Sequence, residues 1–409
     1  MNDFPLFAPF RGEHFADPGS LSRRLAPPYD VIGPAERERL VSLDEANIVR
    51  ADLPVAPEGD DPYRAAARLL GEWRARGVLV RDGSPSAYVL RTTSSFEDGG
   101  TRSRTGVFLA LAAEPFSRGR VKPHEQTHKG PKEDQRRLTH ATASNLSPIF
   151  VLAPDEDGRL AAQLTEVTSA PPWARAEAIG ATHEVWLVSG ARAKAIAETA
   201  GAGPVYIADG HHRYETAVTI RGEAPDIWTA GARRTLSHVV SFKDPGLEIL
   251  PTHRLVVGSP LGRERAVEAA ARFYEPCHAA RASLTLVFAD GGEAPLALKE
   301  SAPLAAVSDL PKHAAVRSLK VAQCDAIMVA TVAAQLLGRK PELRYTAVAA
   351  EARAGAKAPD MAFGILLPAT KLDEVKAVSD AGQIMPPKST FFAPKVPTGV
   401  VLRPLEGEA

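Results

Sequence analysis

The sequence predicts an α+β protein whose mixed sheet is drawn from several segments, and three observations carry that prediction. Residues 60–76 (DDPYRAAARLLGEWRAR) place Tyr63, Ala67, Leu70 and Trp73 at helical spacing before Gly77. Residues 86–112 hold two apolar, β-rich runs on either side of the charged turn EDGGTRS, the pattern of a hairpin. From 183 to 242, strand-like and helix-like runs alternate, as expected where helices pack on a sheet.

Taken in order, Pro34–Ser42 is expected to be a short helix begun by proline in its first turn. The helix at 60–76 and the strands Ser86–Thr93 and Arg104–Ala112 follow. Residues 117–140 break the pattern with seven Lys/Arg, three Asp/Glu and three His, and are expected to form a polar, basic, His-rich loop. Ser147–Ala153 (SPIFVLA) returns to a buried strand, and Leu160–Val167 to a helix. His183–Val188, Ala191–Ala200, Pro204–Ala208, the helix running to Arg221 and Leu236–Phe242 make up the middle unit. Beyond Ser259 come a helix (RERAVEAAARFY), a strand at Ala282–Phe288, a long helix from Val321 to Leu337, and strands at Met361–Leu367 and Thr398–Pro404. Expected domains are 1–170, 171–258 and 259–409, the first break falling at the SAPP stretch.

Composition narrows the function classes. The 49 Lys+Arg balance 49 Asp+Glu, so no global field recruits nucleic acid or anionic lipid. Two cysteines, Cys277 and Cys324, cannot build a disulfide framework or a thiolate zinc knot. The first residues lack the basic and apolar regions of a signal peptide, and the apolar runs fall short of a membrane span, so a soluble, cytoplasmic chain is expected. A homo-oligomer is left open.

The strongest local signal is Pro204–Ala217 (PVYIADGHHRYETA). An apolar strand ends in Asp209, turns on Gly210 and enters a helix carrying His211, His212 and Arg213. A helix N-terminus offers unpaired N–H groups and a partial positive charge, and glycine permits close approach to phosphate. Arg213 adds a planar fork for phosphate oxygens; Arg213→Ala is expected to remove phosphate binding and leave the fold intact. The histidines can donate to phosphate or substrate, and Asp209 is placed to hold Mg²⁺ or orient a histidine. The plain alternative is a capped helix with an exposed histidine pair.

The DGHHR turn resembles the nucleotide-phosphate motif of the ParB/sulfiredoxin superfamily, nearest its free-serine kinase branch. The wider chain resembles a prokaryotic family of unknown function through APPYDVI (26–32), HEQTHKGPKED (124–134), NLSPIF (145–150), ADGHHRYETA (208–217), LPTHRLV (250–256) and MPPKSTFF (385–392). The superfamily resemblance implies a ParB/sulfiredoxin-like α/β unit at 171–258, with Asp209, His211 and His212 bearing on catalysis and Gly210–Arg213 on the phosphates. It also implies Mg²⁺ and a nucleoside di- or triphosphate, ATP first, with a small-metabolite hydroxyl, serine foremost, as acceptor. The kinase branch uses an earlier carboxylate base; Asp30, Glu184 and Glu215 are candidates, and spacing favours none.

Three further segments compete for roles. His124-Glu125-Gln126-Thr127-His128 spells HExxH, but Pro123 before it and Gly130-Pro131 after it leave barely two helical turns, so no zinc site is expected. The same segment suits a loop closing on an anion, with Lys129, Lys132 and Arg136 on phosphate and Glu133 and Asp134 on a metal or substrate amine. At 382–389 a proline stands where a P-loop needs its second glycine, leaving Lys388 a side-chain donor only. His253 and Arg254 are either an anionic pocket or a satisfied buried pair.

The sequence therefore supports a small-molecule kinase first. A ParB-like nucleotide-binding regulator without a metabolite substrate is the alternative, although no helix-turn-helix or basic domain accompanies the motif. A non-catalytic scaffold is the third reading.

Overall fold

Nine strands from residues 7–241 pair into one mixed sheet: β1 (Phe7–Ala8), β2 (Ser86–Ser95), β3 (Thr101–Ala112), β4 (Val121–Lys122), β5 (Ile149–Ala153), β6 (Ala174–Ala178), β7 (Ala181–Ser189), β8 (Val205–Asp209) and β9 (Arg234–Ser241). Their order is β4-β8-β5-β9-β3-β2-β7-β6, with β1 on the side of β3. The expected hairpin is β2–β3, with Tyr88 opposite Phe108. The computed structural model describes residues 4–96, 99–127 and 129–407.

The chain divides into two units. The first takes Met1–Pro123, Thr127–Leu247 and Pro394–Ala409; the second takes His124–Gln126 and Glu248–Ala393. This differs from the expected three-part division. No break falls at 170, because β2 from the first third pairs with β7 from the middle along nine residues, Ala181–Ser189.

Alternation explains how the sheet is covered. Ala87, Val89, Val107, Leu109, Val151, Val205, Ile207 and Val239 share one face. Two helices, Arg159–Val167 and Gly190–Ala200, lay Leu160, Leu164, Ala193, Ile196 and Ala197 on that face. Burying each larger side chain contributes about 1.5–3 kcal/mol. The other face carries Tyr88, Phe108, Phe150, Tyr206 and His238, all buried.

Among the remaining helices of this unit, Pro34–Leu43 and Pro62–Ala75 form as their sequences dictate. Asp61 caps the second, accepting from the Tyr63 and Arg64 N–H groups at 2.8 and 3.1 Å. The stretch expected to be a loop is different: Lys129–Thr142 is a helix. Gly130-Pro131 falls in its first turn, where proline's missing N–H has no intrahelical partner to lose. Gln135, Leu138 and Thr142 are buried at helical spacing, and the charged residues occupy other faces. Its charge density masked a narrow buried stripe in which Leu138 is flanked by the polar Gln135 and Thr142.

In the second unit, six strands pair in the order Tyr274–Pro276, Glu293–Leu298, Leu284–Val287, Met361–Leu366, His253–Val257, Glu342–Thr346. The long helical stretch Lys320–Leu337 is present, wound more widely over Cys324–Ala333. By length and composition it is apolar enough to cross a membrane, and half of it is buried.

Candidate functional site

The turn that leaves β8 concentrates the predicted residues. Asp209 ends the strand opposite Phe150, after a register shift between Ile207 and Asp209. Gly210 has φ 91° and ψ 30°, a left-handed conformation that other residues adopt only at a cost. The helix His211–Glu223 starts at once, and no side chain caps its N-terminus. Its first N–H groups therefore have no intrahelical acceptor.

Charge gathers around Asp209. Lys395 Nζ lies 2.7 Å from Asp209 Oδ2, and Arg213 Nη2 lies 3.9 Å from Oδ1. Burial pulls the Asp209 carboxyl up, but Lys395 first and Arg213 next hold it far below the usual carboxylate range. Asp209 is thus a fixed anion and a weak base. Arg213 lies buried beside the turn. It is 8% exposed, donates through Nη1 to the Pro148 carbonyl, and packs on Gly210, where a Cβ would come 3.1 Å from three guanidinium atoms. Its removal leaves Pro148 O and Asp209 short of a partner, so Arg213→Ala is not a fold-neutral change.

A second carboxylate stands behind this turn. Asp52, 3% exposed, accepts from Ser147 Oγ at 2.6 Å, and Ser147 Oγ lies 3.1 Å from Thr398 Oγ1. Asp52 Oδ1 is buried without a hydrogen-bond partner. Burial pushes Asp52 up to about 6; Ser147 and Arg213 oppose the rise, and Asp30 and Asp134 add to it. Tyr29, whose ring centre is 6.0 Å from the Arg213 guanidinium, is pushed up to about 12 by burial.

The Mg²⁺ assignment to Asp209 does not fit these residues as they stand. Two cations already balance its charge, and one oxygen is taken by Lys395.

The other sequence candidates separate into groups. Lys132 and Thr127 both meet Glu215 Oε2 at 2.7 Å, tying the basic helix to the flank of the helix after Gly210. Arg136 is committed to Glu133 and Glu223, at 2.9 and 3.1 Å. Asp134 accepts from the Tyr63 hydroxyl at 2.7 Å. Asp30 is exposed in the short turn after Pro28. Glu184 sits on β7, five strands from β8 and thus roughly 24 Å away; its neighbours are Arg91 and Arg175. The side chain of Lys129, and His128 entirely, lie outside the described residues.

His124, Glu125, His253, Arg254 and Lys388 belong to the second unit. His124 Nε2 is 3.1 Å from Thr390 Oγ1, and its carbonyl accepts from the Met385 N–H, so two of the signature stretches meet there. Arg254 is fully buried, bonded to both oxygens of Asp325 at 3.0 and 3.2 Å and to the Lys388 carbonyl at 3.2 Å. His253 Nδ1 accepts from the Leu367 N–H at 3.1 Å. The Arg254 guanidinium is thus taken up by Asp325 and backbone carbonyls, while His253 Nε2 is buried without a hydrogen-bond partner. Lys388 is exposed at φ 58°.

Sequence reasoning missed Lys395 and Asp52. Lys395 follows the MPPKST stretch in a run of prolines and is 186 residues from Asp209, a separation no local pattern reports. Asp52 gave no distinct local signal, standing two residues after Arg50 in the stretch Ile48–Leu53. A cavity of about 20 Å³ beside Arg213, lined also by Gln135, Ser147 and Thr216, has room for one water molecule. A larger cleft of about 510 Å³ lies by Trp173 and Trp186, at the β7 side of the sheet.

The first unit is thus a mixed-sheet α+β body with a glycine turn from strand to uncapped helix. The chain belongs to the family described as "Protein of unknown function (DUF1015)", which matches residues 7–323. No curated protein matches it. Solved structures similar to it include a mutant free serine kinase in complex with AMP, at 14% identity and TM-score 0.36, covering 70% of this chain and 87% of that one. A conserved hypothetical protein from Pyrococcus furiosus is similar at 14% identity and TM-score 0.35, covering 72% and 94%. SbnI with C-terminal truncation from Staphylococcus aureus is similar at 11% identity and TM-score 0.37, covering 71% and 85%.

Proposed function

We propose that the turn at Asp209–Arg213 binds the phosphates of a nucleotide, ATP first, and that the protein is a phosphotransferase acting on the hydroxyl of a small metabolite, serine foremost. One observation carries this reading: an uncapped helix N-terminus, opened by left-handed Gly210, with Lys395 held beside it by Asp209. Backbone N–H groups at a helix start and an ammonium beside the same turn suit a phosphate group. In this reading Asp209 positions Lys395 and Arg213, His211 and His212 line the turn, and Lys132 with Glu215 flanks it.

Asp209 is too weak a base to take the acceptor's proton, so another carboxylate performs that step. The test is consumption of ATP with and without serine and related hydroxyl compounds. Acceptor-dependent consumption supports the kinase. Nucleotide binding or hydrolysis indifferent to every acceptor favours a nucleotide-binding regulator, and absence of both overturns the proposal. A nucleotide at about 100 times its Kd adds about 2.7 kcal/mol of stability, so thermal shift detects binding before any acceptor is known.

A further inference from the structure

The sheet face turned away from the helices Arg159–Val167 and Gly190–Ala200 carries buried donors that the Asp209 turn does not use. Arg104 on β3 is 1% exposed, and its Nε, Nη1 and Nη2 all lack a hydrogen-bond partner. His238 on β9 is equally buried, with neither ring nitrogen partnered. Ser94 Oγ on β2 is buried and unpartnered as well. Register puts the three on one face: Phe108 stands opposite both Tyr88 and His238, and Thr92 stands opposite Arg104.

The surroundings hold these groups in place without satisfying them. The Arg104 guanidinium lies 4.6 Å from the Phe150 ring centre, an attraction that engages its face and none of its N–H groups. Gly106 makes room for the imidazole, since a Cβ there would come within 2.4 Å of His238 Cε1. The loop 242–247 closes over this end of β3, with Gly246 against the Ser103 carbonyl. Asp244 in that loop is the carboxylate acting on Arg104, but its oxygens accept from the Thr105 and Gly246 N–H groups at 2.9 Å.

Arginine has five N–H donors and no acceptor, and a buried charge is normally paired. Burial, then Arg104, holds His238 well below its ordinary pKa, so it is neutral and keeps one N–H to donate. The group lacks an acceptor, and a guanidinium with an imidazole N–H suits a negative one best. Phe150, within 4.6 Å of the guanidinium, stands opposite Asp209 in register, while His238 and Arg104 lie on strands two and three removed from β8.

We infer that Arg104 and His238 bind an oxyanion, the carboxylate or phosphate group of a small molecule, beneath the loop 242–247. The inference rests on these donors and stands whether or not the protein is a kinase. The test is a thermal-shift titration of the full chain with inorganic phosphate and, separately, with succinate. Wild type, Arg104→Met, His238→Phe and Lys395→Ala are compared.

The expected result is a saturable rise of several degrees in wild type and in Lys395→Ala. Arg104→Met and His238→Phe should weaken the apparent affinity at least tenfold. Without probe, Arg104→Met should melt no lower than wild type, because it removes an unpaired buried charge. A rise with phosphate alone assigns a phosphorylated ligand, and one with succinate alone a carboxylic acid. No saturable rise with either probe overturns the inference, as does an equal rise in Arg104→Met. If Arg104→Met fails to fold while His238→Phe keeps the full response, Arg104 is architectural and the inference falls. Loss of the response in Lys395→Ala alone would place the anion at the Asp209 turn and equally overturn it.

Discussion

Replacing Asp52 with asparagine tests how the interior beside Arg213 handles charge. The Asp52 carboxyl is pushed from 3.8 to about 6 by burial, against the opposing pull of Ser147 and Arg213. A shift of this size corresponds to about 3 kcal/mol of differential interaction. The sign follows from proton binding. The folded state holds this proton more tightly than the unfolded state, so the group favours folding at low pH. That advantage fades as pH rises from roughly 4 to 6, and at pH 7.5 ionised Asp52 costs the fold about 3 kcal/mol relative to acid conditions. Asparagine keeps the Ser147 hydrogen bond and carries no charge. Its amide nitrogen, in the unpartnered place of Oδ1, offsets part of the gain, so the pH slope is the readout rather than absolute stability. Urea midpoints of both proteins between pH 3.5 and 7.5 should diverge with rising pH, Asp52→Asn becoming relatively more stable. Parallel curves across that range would refute the reasoning.

Other consequences follow from single contacts. Arg213→Ala should lower stability by about 3–5 kcal/mol, since it removes a buried guanidinium and leaves half-buried Asp209 with Lys395 as its remaining cation; a urea melt within 1 kcal/mol of wild type would contradict this. Gly210→Ala should cost about 1–2 kcal/mol for its left-handed backbone and weaken nucleotide binding by moving the Arg213 guanidinium; unchanged stability and affinity would count against the turn geometry. Asp61→Ala should lower the midpoint of a denaturant titration through loss of two capping bonds, with nucleotide binding unaffected.

The residues themselves show why some of this protein was legible in its sequence. Trp73 and Leu70 announced their helix, and the hairpin at 86–112 announced itself, because local periodicity reports which face is buried. The Asp209–Arg213 turn was equally plain, since strand, glycine and helix are contiguous. The helix Lys129–Thr142 was hidden because, among its described side chains, only Gln135, Leu138 and Thr142 are buried. Lys395 was invisible for a different reason: its partner is 186 residues away, and pairing across that distance leaves no local trace. Arg213 was placed correctly at the turn, but its burial against Pro148 and Gly210 depends on β5 beside β8, which only the tertiary fold supplies. Arg104 and His238 are ordinary strand residues in sequence, and register alone brings them to one face.

The most direct test of the central claim is titration calorimetry of ATP into wild type and Lys395→Ala, with the melting temperature of each recorded alongside. A charge-assisted bond to phosphate is worth about 1.5–3 kcal/mol, so the variant should bind about 10- to 100-fold more weakly while remaining folded. Equal affinity in the two proteins, or no heat of binding in wild type, would contradict the assignment of the Asp209 turn as a nucleotide-phosphate site.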